Sequence, residues 1–473
     1  MNARSEKYRK IDRKFLWHPY SARSAIAKND FPVIVRGRGP YLFDCEGRRC
    51  FDAISSWWCC SLGHNHPRIV RAIRDQAKKL QHSILGNMSH PGAIELAERI
   101  AGLFEECGPA GTPRPAFSKP QALKKERRRI FFSSDGASAV EAAIKIAFQY
   151  WHNIGKPKRC RLVSFENAYH GDTLGAVSAG YLPHFHQPFR KIIFPVLRAA
   201  APFCAECPFK KVGPHSLCGR GGTGLSRPTG ENSCDCRCFK SMRETIEKHS
   251  DEIAAVIVEP LCQCAAGMRM YSPAYLKKLA ELCRKHKILL IADEIAVGFG
   301  RTGEMFAFEL AGIDPDIVCV GKALAGGYLP ISAAIVKENI YETFSDVPRD
   351  HTFYHGHTFA GNPIAAAAAI ETLKIYKEEK IAAQAKRKGK LMDKFSARLQ
   401  SCPGVRNIRC LGMICAFELE NAAKASSLKK KMLEAGVLIR PLGNTVYLMP
   451  PLTTPESLLS ETINLMGGIL SGG

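Results

Sequence analysis

The chain has 473 residues, of which 46% are hydrophobic, enough for a large core and more than one domain. Its formal net charge is +23, but the Lys and Arg residues are dispersed without interleaved aromatic side chains, which favours solvated faces over nucleic-acid binding. No apolar run approaches the roughly 20 residues that span a membrane, and the charged start lacks a secretory apolar stretch, so we expect no membrane partner and a cytoplasmic location.

The first stretch to combine aromatic and polar residues is Trp17-His18-Pro19-Tyr20, an aromatic turn. Short strands are predicted at residues 33–35, 41–44 and 50–53, between turn residues. The sequence Ser55-Ser56-Trp57-Trp58 follows and is predicted to be a loop. Two adjacent tryptophans either belong to a core or form the wall of an apolar ligand pocket.

Strands and helices alternate from residue 130. A strand is predicted at 130–132 and a helix at 139–151, with small residues, including Gly136 and Ala137, between them. Backbone N–H groups that open a helix form an anion site, although Asp135 and Ser138 are equally good ordinary helix caps. The next predicted strand, 161–165, is followed by Tyr169, which either stacks on a planar cofactor or packs in its loop.

Two later strands, at residues 288–292 and 317–320, end in chemically useful side chains. Asp293 follows the first and Lys322 follows the second. In an α/β sheet, the carboxyl ends of neighbouring strands face the ligand. An acid and an amine there suit a cofactor with a protonated ring nitrogen and an aldehyde, because a neutral lysine amine condenses with carbonyls. The alternative is a lysine that extends its head group into water.

The carboxyl-terminal third supplies two further candidates. Thr358, within the stretch from His355 to Pro363, is a possible phosphate donor. Arg440 follows apolar residues and is interpreted either as a bidentate carboxylate clamp or as a surface arginine.

Taken together, these segments resemble the class III aminotransferases, which bind pyridoxal 5′-phosphate. The resemblance runs from Trp17 to about Pro451, and the tryptophan pair and the Arg–Tyr run near the end favour the members that act in biotin synthesis. It rests on residues 17–20, 55–58, 139–141, 169–172, 267–271, 292–294, 321–322, 355–363, 439–441 and 447–451.

The resemblance implies an α/β fold of fold type I, with a large, mixed, mostly parallel sheet domain and a smaller α+β domain. Residues 1–65 are the N-terminal part of the small domain, and 66–340 form the cofactor-binding domain, with a cysteine-rich insertion at about 200–245. Residues 341–380 are a connecting helical region, and 381–473 complete the small domain. The chain is expected to form a homodimer with shared active sites.

The resemblance also assigns roles to residues of this chain. Lys322 would bond the cofactor and move protons, Asp293 would hold the ring nitrogen, and Tyr169 would stack on the ring and face substrate. Phosphate would bind to Gly136 and Ala137 of one subunit and to His357 and Thr358 of the other. Tyr20, Trp57, Gly356 and Arg440 would shape the substrate pocket. Ala137 departs from a common serine and loses a hydroxyl contact with the phosphate.

The implied reaction moves an amino group from S-adenosyl-L-methionine to 8-amino-7-oxononanoate, giving 7,8-diaminononanoate. Lysine or another ω-amino compound is the alternative donor. A non-enzymatic, basic protein that binds metal and nucleic acid is the remote alternative, which explains the charge but not the Asp293–Lys322 pair.

The insertion contains six cysteines, and His215 lies among them. No metal ligand is assigned, because Cys-x-Cys-x-Cys is atypical of zinc sites; free thiols are the preferred interpretation, and a structural zinc ion is the alternative. Elsewhere, cysteines such as Cys283, Cys319 and Cys415 lie singly in apolar segments, which is typical of buried thiols in a reducing compartment.

Overall fold

The computed structural model describes residues 3–28, 31–106, 127–207 and 236–472. Its strands are β1 Ile34–Arg38, β2 Tyr41–Asp44, β3 Arg49–Asp52, β4 Arg128–Ser133, β5 Arg161–Phe165, β6 Leu197–Ala199, β7 Ile253–Val258, β8 Cys262–Gln263, β9 Arg269–Met270, β10 Leu289–Asp293, β11 Ile317–Val320, β12 Ser332–Lys337, β13 Arg406–Leu411, β14 Ile414–Glu418, β15 Val437–Leu438 and β16 Thr445–Leu448. Its helices are α1 Ala3–Phe15, α2 Arg23–Lys28, α3 Ser55–Trp58, α4 Pro67–Ala77, α5 Pro91–Glu106, α6 Gly136–Asn153, α7 Leu174–Ala179, α8 Pro183–His186, α9 Lys240–Lys248, α10 Pro273–Lys285, α11 Glu338–Tyr341, α12 Pro363–Glu378, α13 Ile381–Ser396, α14 Ala422–Glu434 and α15 Glu456–Gly472.

A seven-stranded mixed sheet forms the centre of the molecule, in the order β4-β12-β11-β10-β7-β5-β6. Only β12 runs antiparallel to its neighbours within this sheet. Every residue of β7 and β11 is buried, as expected for continuous apolar strands covered by helices on both faces. The predicted α/β fold with a large, mostly parallel sheet is therefore confirmed.

The direction of these strands brings several loops to one edge of the sheet. Asp293, the last residue of β10, lies opposite Cys319 of β11 in the parallel register. Lys322 follows two residues after β11 ends and begins a short 3₁₀ helix, Lys322–Ala325. Helix α6 begins just beyond β4 at the same edge, since Ser133 pairs with Ser332 at the start of β12. The sheet therefore assembles the site from segments far apart in sequence.

Two smaller sheets lie outside the central sheet. β15, from the carboxyl-terminal region, pairs in parallel with β3, so the sheet β1-β2-β3-β15 combines strands from both ends of the sequence. The second sheet has the order β13-β14-β16. This pairing agrees with a small domain made from both terminal segments, but the predicted boundaries at residues 65, 340 and 380 stay predictions.

Within the described ranges, no helix is both long enough and apolar enough to span a membrane.

Candidate active site

Lys322 lies at the carboxyl edge of the sheet, above an aromatic ring. Its Nζ atom is 5.0 Å from the ring centroid of Trp58, whose side chain is almost fully buried. Lys322 also has a φ of 40°, in the left-handed region that residues with a Cβ seldom adopt. Such backbone strain, of order 1–3 kcal/mol per residue, is typical of functional positions that the surrounding structure holds in place.

A histidine fixes the carboxylate of Asp293. His170 Nδ1 lies 2.7 Å from Asp293 Oδ2, and the Ile295 N–H donates to Asp293 Oδ1 at 3.1 Å. The His170 side chain is fully buried, and its Nε2 atom has no hydrogen-bond partner. Asp293 therefore has a defined orientation at the strand end. The sequence analysis named the segment that contains His170 but gave this residue no role.

A second buried acid, Glu259, follows β7 at the same edge. Its oxygens accept hydrogen bonds from the backbone N–H groups of Tyr169, at 3.1 Å, and Cys264, at 3.0 Å. Burial, and then the nearby carboxylate of Asp293, raise the pKa of Glu259 to about 8. Glu259 has no predicted role, although its position directly after a buried apolar strand is the signal that could have identified it.

The amino terminus of α6 presents Gly136 and Ala137. Asp135 caps the helix by accepting from the Ser138 N–H at 2.9 Å, so the ordinary capping interpretation is correct for Asp135. Packing here is tight: a Cβ on Gly136 would lie 2.9 Å from Ile295 Cγ2, and a Cβ on Gly171 would lie 2.4 Å from Ala137 Cβ. The first N–H groups of this 18-residue helix are consequently fixed in place.

Tyr20, Trp57 and Tyr169 form an aromatic wall. The Tyr20 ring packs edge-on to Trp57 with centroids 5.6 Å apart. The hydroxyl groups of Tyr20 and Tyr169 are 3.5 Å apart, and both donate to Asp172, with the Tyr169 bond at 3.0 Å. Partial burial and the bond to Asp172 raise the pKa of Tyr20 to about 12. Asp172 is thus a further site residue to which the sequence analysis gave no role.

Arg440 closes the same pocket. Its guanidinium carbon is 4.2 Å from the ring centroid of Trp57, a cation–π contact. The positive charge lies close enough to Tyr20 and Tyr447 to lower the pKa of each phenol, against the larger effect of burial. This contact places Arg440 at the pocket rather than on an unrelated surface.

The segment Ser55–Trp58 is a left-handed turn, α3, and not the predicted loop. Its four φ values are 44°, 46°, 66° and 74°. Two bonds hold it: the Ser55 hydroxyl donates to Met449 O at 2.7 Å, and the Ser56 hydroxyl to Asp52 Oδ2 at 2.7 Å. The turn separates the two tryptophans, because Trp58 packs inward beneath Lys322 while Trp57 faces Arg440 and is 37% exposed. Trp58 is therefore a core residue, and Trp57 has the exposure expected of a residue that lines a ligand pocket.

His357, Thr358 and Gly356 are not brought to this pocket within one chain. The neighbouring His355 lies 3.1 Å from Lys145 Nζ, and Lys145 is about 13 Å along the α6 axis from Gly136. Gly356 and Thr358 are exposed, and a Cβ on Gly356 would meet no atom within 4 Å. Their assignment to phosphate and substrate stays a prediction that needs a second subunit.

The sequence that forms this site matches a known family over nearly its whole length. The family model described as aminotransferase class-III matches residues 24–470. The chain belongs to the class III aminotransferases. It is 36% identical to adenosylmethionine-8-amino-7-oxononanoate aminotransferase from Geobacter sulfurreducens, over 93% of this chain and 92% of that protein. Identity to the protein of the same name from Synechococcus elongatus is 37%, over 94% and 95%.

Solved structures agree with this class III membership. The crystal structure of adenosylmethionine-8-amino-7-oxononanoate aminotransferase from Methanocaldococcus jannaschii superposes with a TM-score of 0.85 at 32% identity, covering 98% of each chain. An amine transaminase from an uncultivated Pseudomonas species, in its PLP-bound form, gives 0.83 at 29% identity, over 96% of this chain and 98% of that one.

As a class III aminotransferase, the protein uses pyridoxal 5′-phosphate. The residues at the sheet edge fit that group. Asp293, only 5% exposed, is an oriented carboxylate that suits a protonated ring nitrogen, and Lys322 carries an amine that suits the aldehyde. The N–H groups that open α6 suit the phosphate, and the unpartnered Nε2 of the buried His170 leaves a polar atom available beside Asp293.

Proposed function

We propose that this enzyme transfers the amino group of S-adenosyl-L-methionine to 8-amino-7-oxononanoate, which gives 7,8-diaminononanoate for biotin synthesis. The relatives that share 31–37% identity over nearly the whole chain have the corresponding name. The observation that supports this substrate pair most directly is the Arg440–Trp57 contact at 4.2 Å. A cation fixed at the pocket wall suits the distal carboxylate of a long keto acid.

The same pocket suits a cationic donor. Tyr20, Trp57 and Tyr169 offer aromatic faces, which attract a sulfonium or ammonium cation by about 0.5–2 kcal/mol. The carboxylate of Asp172, which accepts from both tyrosine hydroxyls, adds a negative charge. This arrangement accepts lysine or another ω-amino donor as well as S-adenosylmethionine, so the alternative donor is kept.

In the proposed mechanism, bound pyridoxal phosphate supplies the ring that accepts the electron pair left on the amino carbon of the donor. Lys322 Nζ removes the proton from that carbon and returns a proton to the former carbonyl carbon of the acceptor. Asp293 holds a proton on the ring nitrogen, and His170 keeps the carboxylate in place. Gly136 and Ala137 hold the phosphate through backbone N–H groups, so the absence of a serine hydroxyl at 137 removes only one contact.

The active enzyme is proposed to be a cytoplasmic homodimer with shared sites. The exposed segment at residues 356–358 leaves Gly356, His357 and Thr358 available to complete the phosphate and substrate sites of a second subunit. Large aromatic side chains are also exposed on the single chain, including Trp17 at 94% and Phe359 at 62%, and a second copy would cover such surfaces. Core thiols such as Cys283 and Cys319 fit a reducing compartment.

The decisive experiment is a single half-reaction. The cofactor-loaded enzyme is mixed with S-adenosylmethionine, lysine and a simple ω-amino acid in separate reactions, and the loss of the cofactor's visible absorbance is followed. Loss with S-adenosylmethionine alone supports the proposal, and loss only with lysine or the ω-amino acid refutes the donor. Lys322→Ala should lose the covalently retained cofactor. Borohydride should fix the cofactor to Lys322 of the wild type; labelling of a different lysine would refute the site.

A further inference from the structure

Two cysteine pairs that flank residues 208–235 line one cavity outside the active site. Cys204 and Cys207 come from before that segment, and Cys236 and Cys238 from after it. The cavity has a volume of about 150 Å³ and is also lined by Ala201, Pro202, Phe203, Glu206, Arg269, Ser272 and Tyr275. Cys218, Cys234 and His215 lie outside the described residues. None of the lining residues belongs to the pocket around Lys322.

Short 3₁₀ turns position the two pairs. Cys204 begins the turn Cys204–Glu206, and Cys236 precedes the turn Arg237–Phe239 with a left-handed φ of 56°. The second turn is anchored in the core, because the Phe239 ring packs edge-on to Tyr275 with centroids 5.0 Å apart. Cysteines from two separate parts of the sequence therefore line one cavity beside packed aromatic residues.

The cavity also contains two buried donors without acceptors. Tyr275 is 1% exposed and lines the cavity, and its hydroxyl has no hydrogen-bond partner among the residues that the structure describes. A tyrosine hydroxyl is a hydrogen-bond donor as well as an acceptor. The Nε–H of Arg269 is likewise buried and unpartnered. A buried donor left unpaired costs about 1–3 kcal/mol, so each is expected to meet an acceptor in the complete site.

We propose that Cys204, Cys207, Cys236 and Cys238 bind one structural zinc ion in this cavity. Four thiols would release four protons, and the resulting centre of one Zn²⁺ and four thiolates carries a net charge of −2. Thiolate sulfurs are the acceptors that the Tyr275 hydroxyl and the Arg269 Nε–H lack. Four neutral thiols would leave both donors without a charged acceptor.

The surrounding charges suit such a centre. The guanidinium carbons of Arg269 and Arg409 lie 4.3 Å and 5.0 Å from the Phe203 ring centroid, on the cavity wall. Arg409 is paired with Glu418 at 3.1 Å, and the Glu206 carboxylate accepts from Asn407 Nδ2 at 3.1 Å. The Arg269 guanidinium, whose charge interacts with Glu206 and Glu418, adds a positive charge on the cavity wall that favours thiolates.

The four cysteine sulfur atoms do not lie close enough together in this structure to bind one ion. Among the described residues, the only three His, Cys, Asp or Glu side chains with ligand atoms within 4.8 Å of one another are His152, Asp350 and His351. Zinc would therefore draw the two cysteine turns together across the cavity, and the binding energy would contribute to local folding. The ion would join the two ends of residues 208–235 and would have no part in amino transfer.

The test begins with the metal content of the wild-type enzyme, purified without chelators from a zinc-replete culture. We expect about one zinc per chain, lost in Cys204→Ser/Cys207→Ser and kept in the control Cys160→Ser, which changes an exposed cysteine elsewhere. A zinc content below about 0.1 per chain in the wild type overturns the proposal. Zinc that persists in the double variant, or that is lost in His152→Ala, also overturns it.

A second measurement does not depend on how the double variant folds. Cobalt(II) added to zinc-depleted wild type should give the thiolate-to-metal absorption of a tetrahedral site, and an octahedral spectrum overturns the ligand set. Tyr275→Phe keeps the ring and removes the donor, so chelator competition should show about 10- to 100-fold weaker zinc binding, the usual effect of losing a ligand's hydrogen-bond partner. Unchanged affinity would remove Tyr275 from the proposed site.

Discussion

The hydrogen bond between His170 and Asp293 gives a quantitative test of the active site. The two side chains are 2.7 Å apart and almost fully buried, so His170→Ala deletes a charge-assisted bond that water replaces poorly. Such bonds contribute about 1.5–3 kcal/mol, which corresponds to about 10- to 150-fold in rate if Asp293 acts only when oriented. We expect kcat to fall by that factor, measured as the half-reaction rate with saturating amino donor.

Comparing the change in kcat with the change in KM separates the loss of Asp293 orientation from a general disruption of the fold. His170 is not part of the wall formed by Tyr20, Trp57 and Tyr169, so the KM for either substrate should change by less than about two-fold. His170→Asn is the matched control, because an amide N–H can replace the Nδ1–H donor, and it should recover most of kcat. A His170→Ala enzyme with kcat within about two-fold of wild type would refute the reasoning, and so would an Asn variant as slow as the Ala variant.

Three further outcomes follow from other residues. Arg440→Ala should raise the KM for 8-amino-7-oxononanoate by about 10- to 100-fold while the KM for the donor changes little; steady-state kinetics checks this, and equal rises would contradict the carboxylate role. The Cys60 thiol, and then Lys322, lower the pKa of Cys59, so its alkylation by iodoacetamide, followed by mass spectrometry, should be half-maximal at a pH below the usual thiol pKa of about 8.5, and a midpoint at or above that pH would be contrary. Burial raises the pKa of Glu294 from 4.5 to about 8; since the folded state then keeps a proton that the unfolded state releases, stability should fall as pH rises between these values. In thermal unfolding, the stability of Glu294→Gln should fall less than that of the wild type over this pH range. Equal dependence of stability on pH in the two proteins would argue against the raised pKa of Glu294.

The sheet and the two residues at its edge were predictable because local pattern determines them. Apolar runs of five residues before Asp293 and four before Gly321-Lys322 are typical of buried parallel strands, and the carboxyl ends of such strands meet at one edge. The register that sets Asp293 opposite Cys319 follows from that geometry. The predicted bounds agree with the structure at Tyr41–Asp44 and Ile317–Val320, whereas the strand predicted at 288–292 is shifted by one residue to Leu289–Asp293.

The parts that sequence reasoning missed depend on contacts between distant residues. His170 meets Asp293 across 123 positions, and Glu259 meets Tyr169 across 90, so no local motif shows either partnership. The turn at Ser55–Trp58 was predicted as a loop because it contains no glycine, the usual sign of positive φ. Its conformation depends instead on Met449, 394 residues away. The cysteine insertion gave no clear spacing for the same reason, since Cys204 and Cys207 line one cavity with Cys236 and Cys238 only in the fold.

Of the twelve residues other than glycine and asparagine that have positive φ in the described part of the chain, six lie where the substrate is expected to bind. Tyr20, Lys322 and all four residues of the turn α3 have positive φ, and none of the six is a glycine or an asparagine. At about 1–2 kcal/mol each, their summed cost of about 6–12 kcal/mol is comparable with the whole stability of a typical domain. Glycine at these positions would relieve the strain, but it would remove the amine of Lys322, the phenol of Tyr20 or the indole of a tryptophan. The buried bonds from Ser55 to Met449 O and from Trp58 to Tyr447 therefore offset a strain that exists because the side chains themselves are needed.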